Sequence, residues 1–309
     1  MAKKSKYNRR RAIECKIVER SKSNPGCVDF CTAFPKRGYV AVSANYRLVS
    51  LLNIISFLAN HSEQYEEVLK ATSDMKSAVR FFKKDFSNGN TYGIDTNAIF
   101  VGGISSGGVT AIHTAYIDDI TDLPTSPIDV QAIANSLGGL DGDAGNNGFS
   151  SSVNGIVNFA GGIQQLSWID NNDEPIFSAQ GDNDVVVNYN CGPGLNNPSV
   201  LDLCGLGEIH PICDNLGVIN QSLTFYNVNH GWVIGNSQSE FIQAIDSSSN
   251  FLYQLLPCNQ TTNFSENFTN KKRLVKITNI LGEETKKRFN SLLFYIYDNG
   301  SIEKKFFVK

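Results

Sequence analysis

The chain has 309 residues, of which 41% are hydrophobic and 18% are charged, a composition typical of a globular protein with a substantial core. Its formal net charge of -3 gives no reason to expect a nucleic-acid partner, and no apolar run reaches the roughly 18 residues that would predict a membrane span. The first eleven residues are basic and no apolar stretch follows them, so the sequence as given predicts no signal peptide.

The first elements along the chain differ sharply in pattern. Residues 1–30 are strongly basic and show no clear periodicity, which favours a poorly ordered arm. Residues 38–46 are rich in β-forming side chains between turn residues and predict a buried strand. From about Ser62 to Phe86, apolar residues recur at three- and four-residue steps, which predicts an amphipathic helix.

A strand, a tight turn and a helix are predicted around residues 98–116. The apolar run 98–101 predicts a strand, and Ser106 to about Tyr116 predicts a helix. Between them, Gly103-Ile104-Ser105-Ser106-Gly107 fits the G-x-S-x-G pattern, which raises a serine hydroxyl above a sheet edge when it joins a buried strand to a helix. Because Gly and Ser are common in loops, an ordinary Ser/Gly turn is the alternative.

Three more strands are predicted after a loop-rich segment. Residues 117–152 are rich in Asp, Gly, Asn and Pro, and oxygens of that kind bind calcium. The tract lacks the ligand register and closing Glu of a helix-loop-helix calcium site, so we favour a loop at the rim of an active site. The strands follow at residues 153–160, 175–179 and 223–228, and the alternation of strands and helices predicts a parallel sheet.

Polar turns after two of these strands carry candidate partners for the serine. Asp184 follows the strand 175–179 and His230 follows the strand 223–228, so both are expected at the carboxyl edge where Ser105 lies. An imidazole is needed to accept the hydroxyl proton, and a carboxylate holds the imidazole tautomer. A turn-capping role for Asp184 and an ordinary loop role for His230 are the alternatives. The other three histidines are expected to be structural or solvated: His61, His113 and His210.

Seven cysteines are many for a cytosolic enzyme of this size and favour an oxidising compartment. Four of them lie in the loop-rich later half: Cys191, Cys204, Cys213 and Cys258. Cys204 and Cys213 bracket a short loop that a disulfide could join, although the sequence leaves the connectivity open. The spacings contain no C-x-x-C pair and His210 is the only nearby imidazole, so we expect no metal and no cofactor.

The chain resembles the α/β-hydrolase superfamily, nearest to its carboxylesterase and lipase branch, from about Ser23 to Cys258. Residues 38–48 are similar to the branch's "GYVVVSxNYRL" strand, residues 103–108 to its "GxSAGG" turn, and residues 181–189 to "HGxxDxxVPY". The last match selects Asp184 rather than Asp182 as the acid. Departures from the pattern are Ser106 for alanine, Gln180 for histidine and Asn188 for proline, none of them at a triad position.

The resemblance implies a mostly parallel sheet with helices on both faces and an ester hydrolase without a cofactor. It implies Ser105 as nucleophile, His230 as base and then acid, Asp184 as the carboxylate, and the backbone N–H of Ser106 as an oxyanion donor. Arg47, at the end of the "NYRL" segment, is expected to brace the scaffold by pairing with a helix acid such as Asp74.

One motif of the branch has no counterpart here. A strand ending in His-Gly normally precedes the "NYRL" strand and supplies the second oxyanion donor, but no His-Gly pair occurs before Tyr39. We therefore expect the N-terminal strands and the oxyanion loop to be missing, as in an N-terminally truncated or frame-altered version of a longer secreted esterase. Loss of one oxyanion donor typically costs about 10²–10³ in rate.

The tail forms a second predicted unit. Residues 274–284 and 292–308 alternate like short strands, with an Asn-Gly turn at Asn299-Gly300. They resemble the C-terminal sorting domain of the type IX secretion system, with its "DxLGRE…YIYDDGSVEKK" signature, and carry Asn279 and Glu283 in place of its aspartate and arginine. The resemblance implies the type IX secretion machinery as a partner and a secreted or cell-surface location.

The predicted organisation has four parts: a basic arm at 1–30, an α/β-hydrolase catalytic domain at 31–258, a linker at 259–270 and the sorting domain at 271–309. Two functions are compatible with it. The first is a serine hydrolase that cleaves carboxylic esters, either small molecules or esters derived from polymers. The second is a catalytically impaired fragment or a non-catalytic surface or binding protein on the same fold.

Overall fold

The structure is a computed structural model that describes residues 10–17, 25–47, 49, 53–257, 274–279, 282–286, 288, 290–297 and 302–306. The chain divides into two compact units, Met1–Gln260 and Thr261–Lys309.

A six-stranded parallel sheet forms the centre of the first unit. The strands of this unit are β1 (Arg10–Ile17), β2 (Tyr39–Ser43), β3 (Ile94–Ile104), β4 (Ile156–Phe159), β5 (Ile176–Gly181), β6 (Cys191–Pro193), β7 (Asp202–Cys204) and β8 (Asn220–Phe225). The sheet has the order β2-β1-β3-β4-β5-β8 and every pairing in it is parallel. Strands β6 and β7 form a separate antiparallel hairpin.

Helices cover both faces of this sheet. They are α1 (Pro25–Ala33), α2 (Ile54–Ala59), α3 (His61–Ser87), α4 (Ser106–Tyr116), α5 (Val130–Ser136), α6 (Leu206–Leu216) and α7 (Ser239–Gln254). Neighbouring residues of a strand enter different cores, because successive side chains point to opposite faces. Ile176 packs with side chains of α3, α4 and α6, whereas Phe177 packs with those of α1 and α7. The parallel sheet with helices on both faces is the architecture that the sequence predicts.

The predicted elements from residue 61 onward are largely confirmed. Helix α3 begins one residue before and ends one residue after the predicted range 62–86. Strands β4 and β5 fall within or close to their predicted ranges. Strand β8 begins and ends three residues earlier than predicted, and Asn227, just beyond it, has the left-handed φ of 60° that turns the chain out of the sheet.

The start of the chain differs from the prediction. Strand β1 lies between β2 and β3 and pairs in parallel with both, so Ile13 is opposite Ala41 on one side and Phe100 on the other. Helix α1 begins at Pro25. The expected poorly ordered arm over 1–30 is therefore wrong for the residues described there, and one strand that was expected to be missing is present.

The disulfide joins a different pair from the Cys204–Cys213 pair that the sequence suggested while leaving the connectivity open. Cys191 pairs with Cys204 across the β6–β7 hairpin, where the two residues face each other in register. Cys213 is a free thiol buried in α6. The stretch after Cys204 is the helix α6 and not the short loop that we expected. Cys213 lies on the side of α6 that faces the core, and it packs there.

The second unit contains a three-stranded antiparallel sheet with the order β11-β10-β9. Its strands are β9 (Leu274–Thr278), β10 (Leu292–Tyr297) and β11 (Ile302–Phe306). Both predicted strand regions therefore contain strands. The Asn299-Gly300 turn and the linker 259–270 lie outside the described residues. In neither unit do the described residues include a helix with the length and apolar character needed to cross a bilayer.

Candidate active site

The nucleophile candidate Ser105 occupies a strained turn between β3 and α4. Its φ of 55° and ψ of -124° lie in a region that side chains other than glycine seldom adopt, as expected for the serine of a G-x-S-x-G turn. The turn is held by two backbone hydrogen bonds. The N–H of Ser105 donates to Phe159 O at 2.7 Å, and the N–H of Val109 donates to Ser105 O at 3.0 Å.

Close packing behind this turn requires glycine at position 108. A Cβ on Gly108 would overlap Asn158 Oδ1 and lie 3.1 Å from the Cα of Gly161. Asn158 is fully buried, and its Oδ1 accepts the N–H of Gly161 at 2.9 Å while its Nδ2 donates to Ser178 Oγ at 3.2 Å. The first turn of α4 therefore rests directly on the loop after β4.

The acid candidate Asp184 lies in the turn that follows β5 and is 4% exposed. Its Oδ1 accepts the N–H groups of Val186 at 2.9 Å and Val187 at 3.0 Å, and its Oδ2 lies 2.6 Å from His230 Nδ1. Asp182, the alternative acid, instead accepts the N–H of Asn227 at 2.6 Å. It braces the connection that leads from β8 to His230.

The base candidate His230 opens a short 3-10 turn, His230–Ile234, after β8. Its Nε2 lies 2.9 Å from Ser105 Oγ while its Nδ1 contacts Asp184. When Nδ1–H donates to the carboxylate, the Nε2 lone pair is free to accept the serine hydroxyl proton. The structure thus brings the three residues predicted from the sequence into one chain of hydrogen bonds, an arrangement that can activate a hydroxyl as a nucleophile.

The predicted oxyanion donor, the N–H of Ser106, belongs to the first residue of α4. Such N–H groups have no acceptor within their own helix and lie at its positive end, which favours a developing negative charge. Tyr46, which the sequence did not single out, places its hydroxyl 3.4 Å from Ser106 Oγ, and burial raises the pKa of this phenol. Residues 18–24, between β1 and α1, lie outside the described residues, so the missing second donor stays a prediction.

Arg47 braces the scaffold as predicted. Its Nε donates to Asp74 Oδ1 at 3.1 Å, and its second terminal nitrogen lies 2.9 Å from Asp143 Oδ1. These ion pairs connect the segment after β2 to α3 and to the Gly-rich loop 138–148. The hydrogen bonds to Asp143 and Asp74 oppose the effect of burial, and the pKa of Arg47 is raised overall.

The loop 138–148 binds cationic side chains of α3. Lys76 Nζ donates to the carbonyls of Ile117 and Leu140, and Arg80 donates to those of Asp141 and Gly145. Burial lowers the pKa of Lys76 to about 8. Three carbonyl oxygens of the tract that suggested calcium, those of Leu140, Asp141 and Gly145, thus accept from protein cations. The described part of the chain contains no cluster of three His, Cys, Asp or Glu residues suited to a metal ion.

The remaining histidines have structural surroundings. His113 is fully buried in α4, donates from Nδ1 to Val109 O at 2.7 Å and packs edge-on against Trp168. Burial lowers its pKa to about 4. His210 lies in α6 with Nδ1 2.7 Å from Asn220 Oδ1, and burial lowers its pKa as well. His61 is the first residue of α3.

A family model described as BD-FAE matches residues 17–197, more than half of the chain. The chain belongs to the BD-FAE family. The matched region includes Ser105 and Asp184 and ends before His230. No curated protein matches the sequence.

Solved structures similar to this BD-FAE member include several of esterase 2 from the planctomycete Thermogutta terrifontis. The form phosphorylated by paraoxon has a TM-score of 0.55 at 18% identity and covers 80% of this chain and 83% of its own. The butyrate-bound form has a TM-score of 0.54 at 18% identity and covers 80% of this chain and 84% of its own. The form phosphoramylated by tabun has a TM-score of 0.55 at 18% identity and covers 80% of this chain and 84% of its own. At this identity the likeness shows the fold, and it confirms the predicted α/β-hydrolase architecture.

Proposed function

We propose that this protein is a serine hydrolase that cleaves carboxylic esters through Ser105, His230 and Asp184. The observation that carries the proposal is the unbroken sequence of short contacts from Asp184 Oδ2 through the His230 ring to Ser105 Oγ, 2.6 Å and 2.9 Å long. Membership of the BD-FAE family and the likeness to structures described as an esterase support the same reaction class.

The reaction follows from the positions of these groups. His230 Nε2 takes the proton of Ser105 as Oγ bonds to the acyl carbon, and the N–H of Ser106 is placed to donate to the carbonyl oxygen as it gains charge. The imidazolium then gives its proton to the leaving alcohol, and an acyl-enzyme remains. His230 next takes a proton from water as the water oxygen attacks the acyl carbon. The imidazolium then gives this proton to Ser105 Oγ as the bond between Oγ and the acyl carbon breaks and the acid leaves.

The carboxylate of Asp184 stabilises the imidazolium during both halves of the reaction. It is almost fully buried, and its other oxygen is fixed by two backbone N–H groups, so little reorganisation is needed when the positive charge forms. No part of this mechanism needs a cofactor.

Hydrolysis of p-nitrophenyl acetate and butyrate tests the proposal. We expect the wild-type chain to hydrolyse these esters, and Ser105→Ala to reduce the rate to the background of buffer. A fluorophosphonate probe should label Ser105, as mapped by mass spectrometry. Ser136→Ala, at the exposed end of α5, is the matched control and should keep both properties.

Equal rates for the wild-type protein and Ser105→Ala would refute a serine esterase. Absence of fluorophosphonate labelling in a folded sample would instead support the second candidate, an impaired or non-catalytic protein on the same fold. Circular dichroism on the same samples distinguishes an inert protein from an unfolded one.

For the second unit, we propose a role in export through the type IX secretion machinery, with a secreted or cell-surface location. The support is the sequence resemblance together with a compact antiparallel sheet that contributes none of the three proposed catalytic residues. The test fuses residues 259–309 to a reporter behind a signal peptide in a bacterium that has this system. Export that is no different from that of a reporter without the fusion would refute the role.

A further inference from the structure

We propose that Gln180 is the positioning residue of the acid turn, defined here as residues 181–187, and that it aligns Asp184 with His230. This inference rests on the proposed function. The resemblance to esterases assigns no such role to Gln180, because the pattern has histidine at this place.

The alignment of Asp184 depends on the backbone of the acid turn. Its Oδ1 is fixed by the N–H groups of Val186 and Val187, and only Oδ2 is left to accept from His230 Nδ1. Any movement of the peptide groups at 186 and 187 therefore moves the carboxylate relative to the imidazole.

Gln180 holds Val187, the last residue of the acid turn, through a hydrogen bond from its side chain. It is fully buried at the end of β5, and its Nε2 donates to Val187 O at 2.8 Å. Its Oε1 accepts the N–H of Leu206 at 2.8 Å. One amide group thus connects the end of the acid turn to the start of α6, two points that are 19 positions apart in the sequence.

The N–H of Leu206 depends on Gln180 for its acceptor. Leu206 is the first residue of α6 and the preceding Gly205 has no side chain to cap the helix, so without Gln180 Oε1 the buried N–H of Leu206 would lose its acceptor. A Cβ on Gly205 would lie 2.6 Å from Gln180 Oε1, so the chain approaches the amide as closely as glycine permits.

The segment beyond the acid turn gives Gln180 a rigid support. The N–H groups of Gly205 and Gly207 donate to the carbonyls of Asn190 and Tyr189, and the Cys191–Cys204 disulfide closes the same connection. The amide therefore binds the acid turn to the start of α6, which follows directly on a covalently closed hairpin, and this is the arrangement expected of a group that fixes geometry.

Gln180→Met tests the role, because methionine has a similar length and neither donor nor acceptor. We expect kcat/KM for p-nitrophenyl butyrate to fall about 10²-fold, as for a misplacement of about 1 Å in a catalytic constellation, with most of the change in kcat. We also expect the downfield NMR resonance of the His230 Nδ1 proton to disappear or move upfield.

Two further variants make the result specific. Gln64→Met is the matched control, because Gln64 is also a buried amide that donates to Phe57 O and Ser199 O and accepts from Leu201 N, with no partner in the acid turn. It should destabilise the fold and retain the rate and the proton resonance. Gln180→Glu should retain most of both, because a buried carboxyl becomes neutral and then has a donor and an acceptor.

The proposal is overturned if Gln180→Met keeps the rate and the resonance, or if Gln64→Met loses them to the same extent. Failure of the proposed function is a separate result. A wild-type protein that hydrolyses no ester and is not labelled at Ser105 refutes the hydrolase, while the proton resonance still reports whether Gln180 aligns Asp184 with His230.

Discussion

The turn that carries Ser105 and the turn that carries Asp184 hold their side chains by different means. Around Ser105, shape adds to the two backbone hydrogen bonds of the turn: the backbone is strained, and Gly108 packs on the Asn158–Gly161 loop without room for a methyl group. Around Asp184 the constraint is polar bonding, through two backbone N–H groups and the Gln180 amide, next to a disulfide-closed hairpin.

This difference predicts different vulnerabilities. Packing constraints respond to added volume and to charge placed in the core, whereas polar constraints respond to loss of a donor, an acceptor or a cross-link. The turn that carries Ser105 should therefore be sensitive to substitutions that add volume and to low pH. The acid turn should be sensitive to loss of hydrogen-bonding groups and to reduction of the disulfide.

The largest expected effect comes from Asp184→Asn. The amide presents the wrong hydrogen-bonding group to His230 and stabilises no imidazolium, so kcat should fall by about 10⁴. Asp182→Asn is the matched control, because its Oδ1 can still accept the N–H of Asn227. Steady-state ester hydrolysis measures both variants, and equal losses would show that the acid has been assigned to the wrong aspartate.

Removal of the disulfide should weaken the acid side of the site. Cys191 and Cys204 are separated by 13 residues in sequence, and closing a loop of this length stabilises a protein by about 3 kcal/mol. The double variant Cys191→Ser/Cys204→Ser should lose about that much unfolding free energy in denaturant titrations. Cys31→Ser, at a free cysteine of α1, is the control, and the prediction fails if it loses as much as the double variant.

Low pH should destabilise the fold through His113, which lies in α4, the helix that follows Ser105. Burial lowers its pKa from 6.5 to about 4, so between these values the unfolded chain binds a proton that the folded chain does not. Stability fully present above pH 6.5 should be lost as the pH falls toward 4, by roughly 3 kcal/mol from this group.

His113→Gln removes this contribution. Its unfolding free energy, measured by urea titration, should change less between pH 6.5 and 4 than that of the wild-type protein. His61→Gln, at the exposed start of α3, should keep the wild-type slope. Identical slopes for all three proteins would contradict the role of His113.

The smallest expected effect is that of Gly108→Ala. The added methyl group meets Asn158 and Gly161, and such overpacking costs about 1–3 kcal/mol of stability. Fluorophosphonate labelling of Ser105 should slow at the same time, because the first turn of α4 must move. Unchanged stability and labelling would show that the loop after β4 is free to adjust.

The positions of Ser105, Asp184 and His230 could be predicted because each follows a strand with a clear pattern, and parallel strands bring their carboxyl ends to one edge. Helix α3 could be predicted because 27 residues provide many turns of consistent periodicity. Whether the three side chains perform catalysis stays a prediction, although the structure places them within hydrogen-bonding distance.

Strand β1 was missed because composition outweighed pattern. Ile13, Cys15 and Ile17 alternate with Glu14 and Lys16, a period-2 signal that the surrounding basic residues obscured. A strand that begins with Arg10 and Arg11 is recognisable only when β2 and β3 are known to leave a place between them.

The disulfide and the role of Gln180 depend on contacts between distant residues. Cys204 is closer in sequence to Cys213 than to Cys191, but the β6–β7 hairpin brings Cys191 opposite to it and places Cys213 in a helix. Gln180 could be noticed as a departure from the esterase pattern, yet its partners at 187 and 206 come together only in the folded chain.

The cations of α3 give the loop 138–148 a property that an ion-binding loop lacks. Lys76 and Arg80 are covalently part of the chain, so each molecule always carries the donors that its loop carbonyls accept from. Dilution cannot remove these cations, chelators cannot extract them, and no change in divalent-ion concentration outside the protein alters their occupancy. We therefore expect the shape of this loop to be the same in ion-poor and ion-rich surroundings.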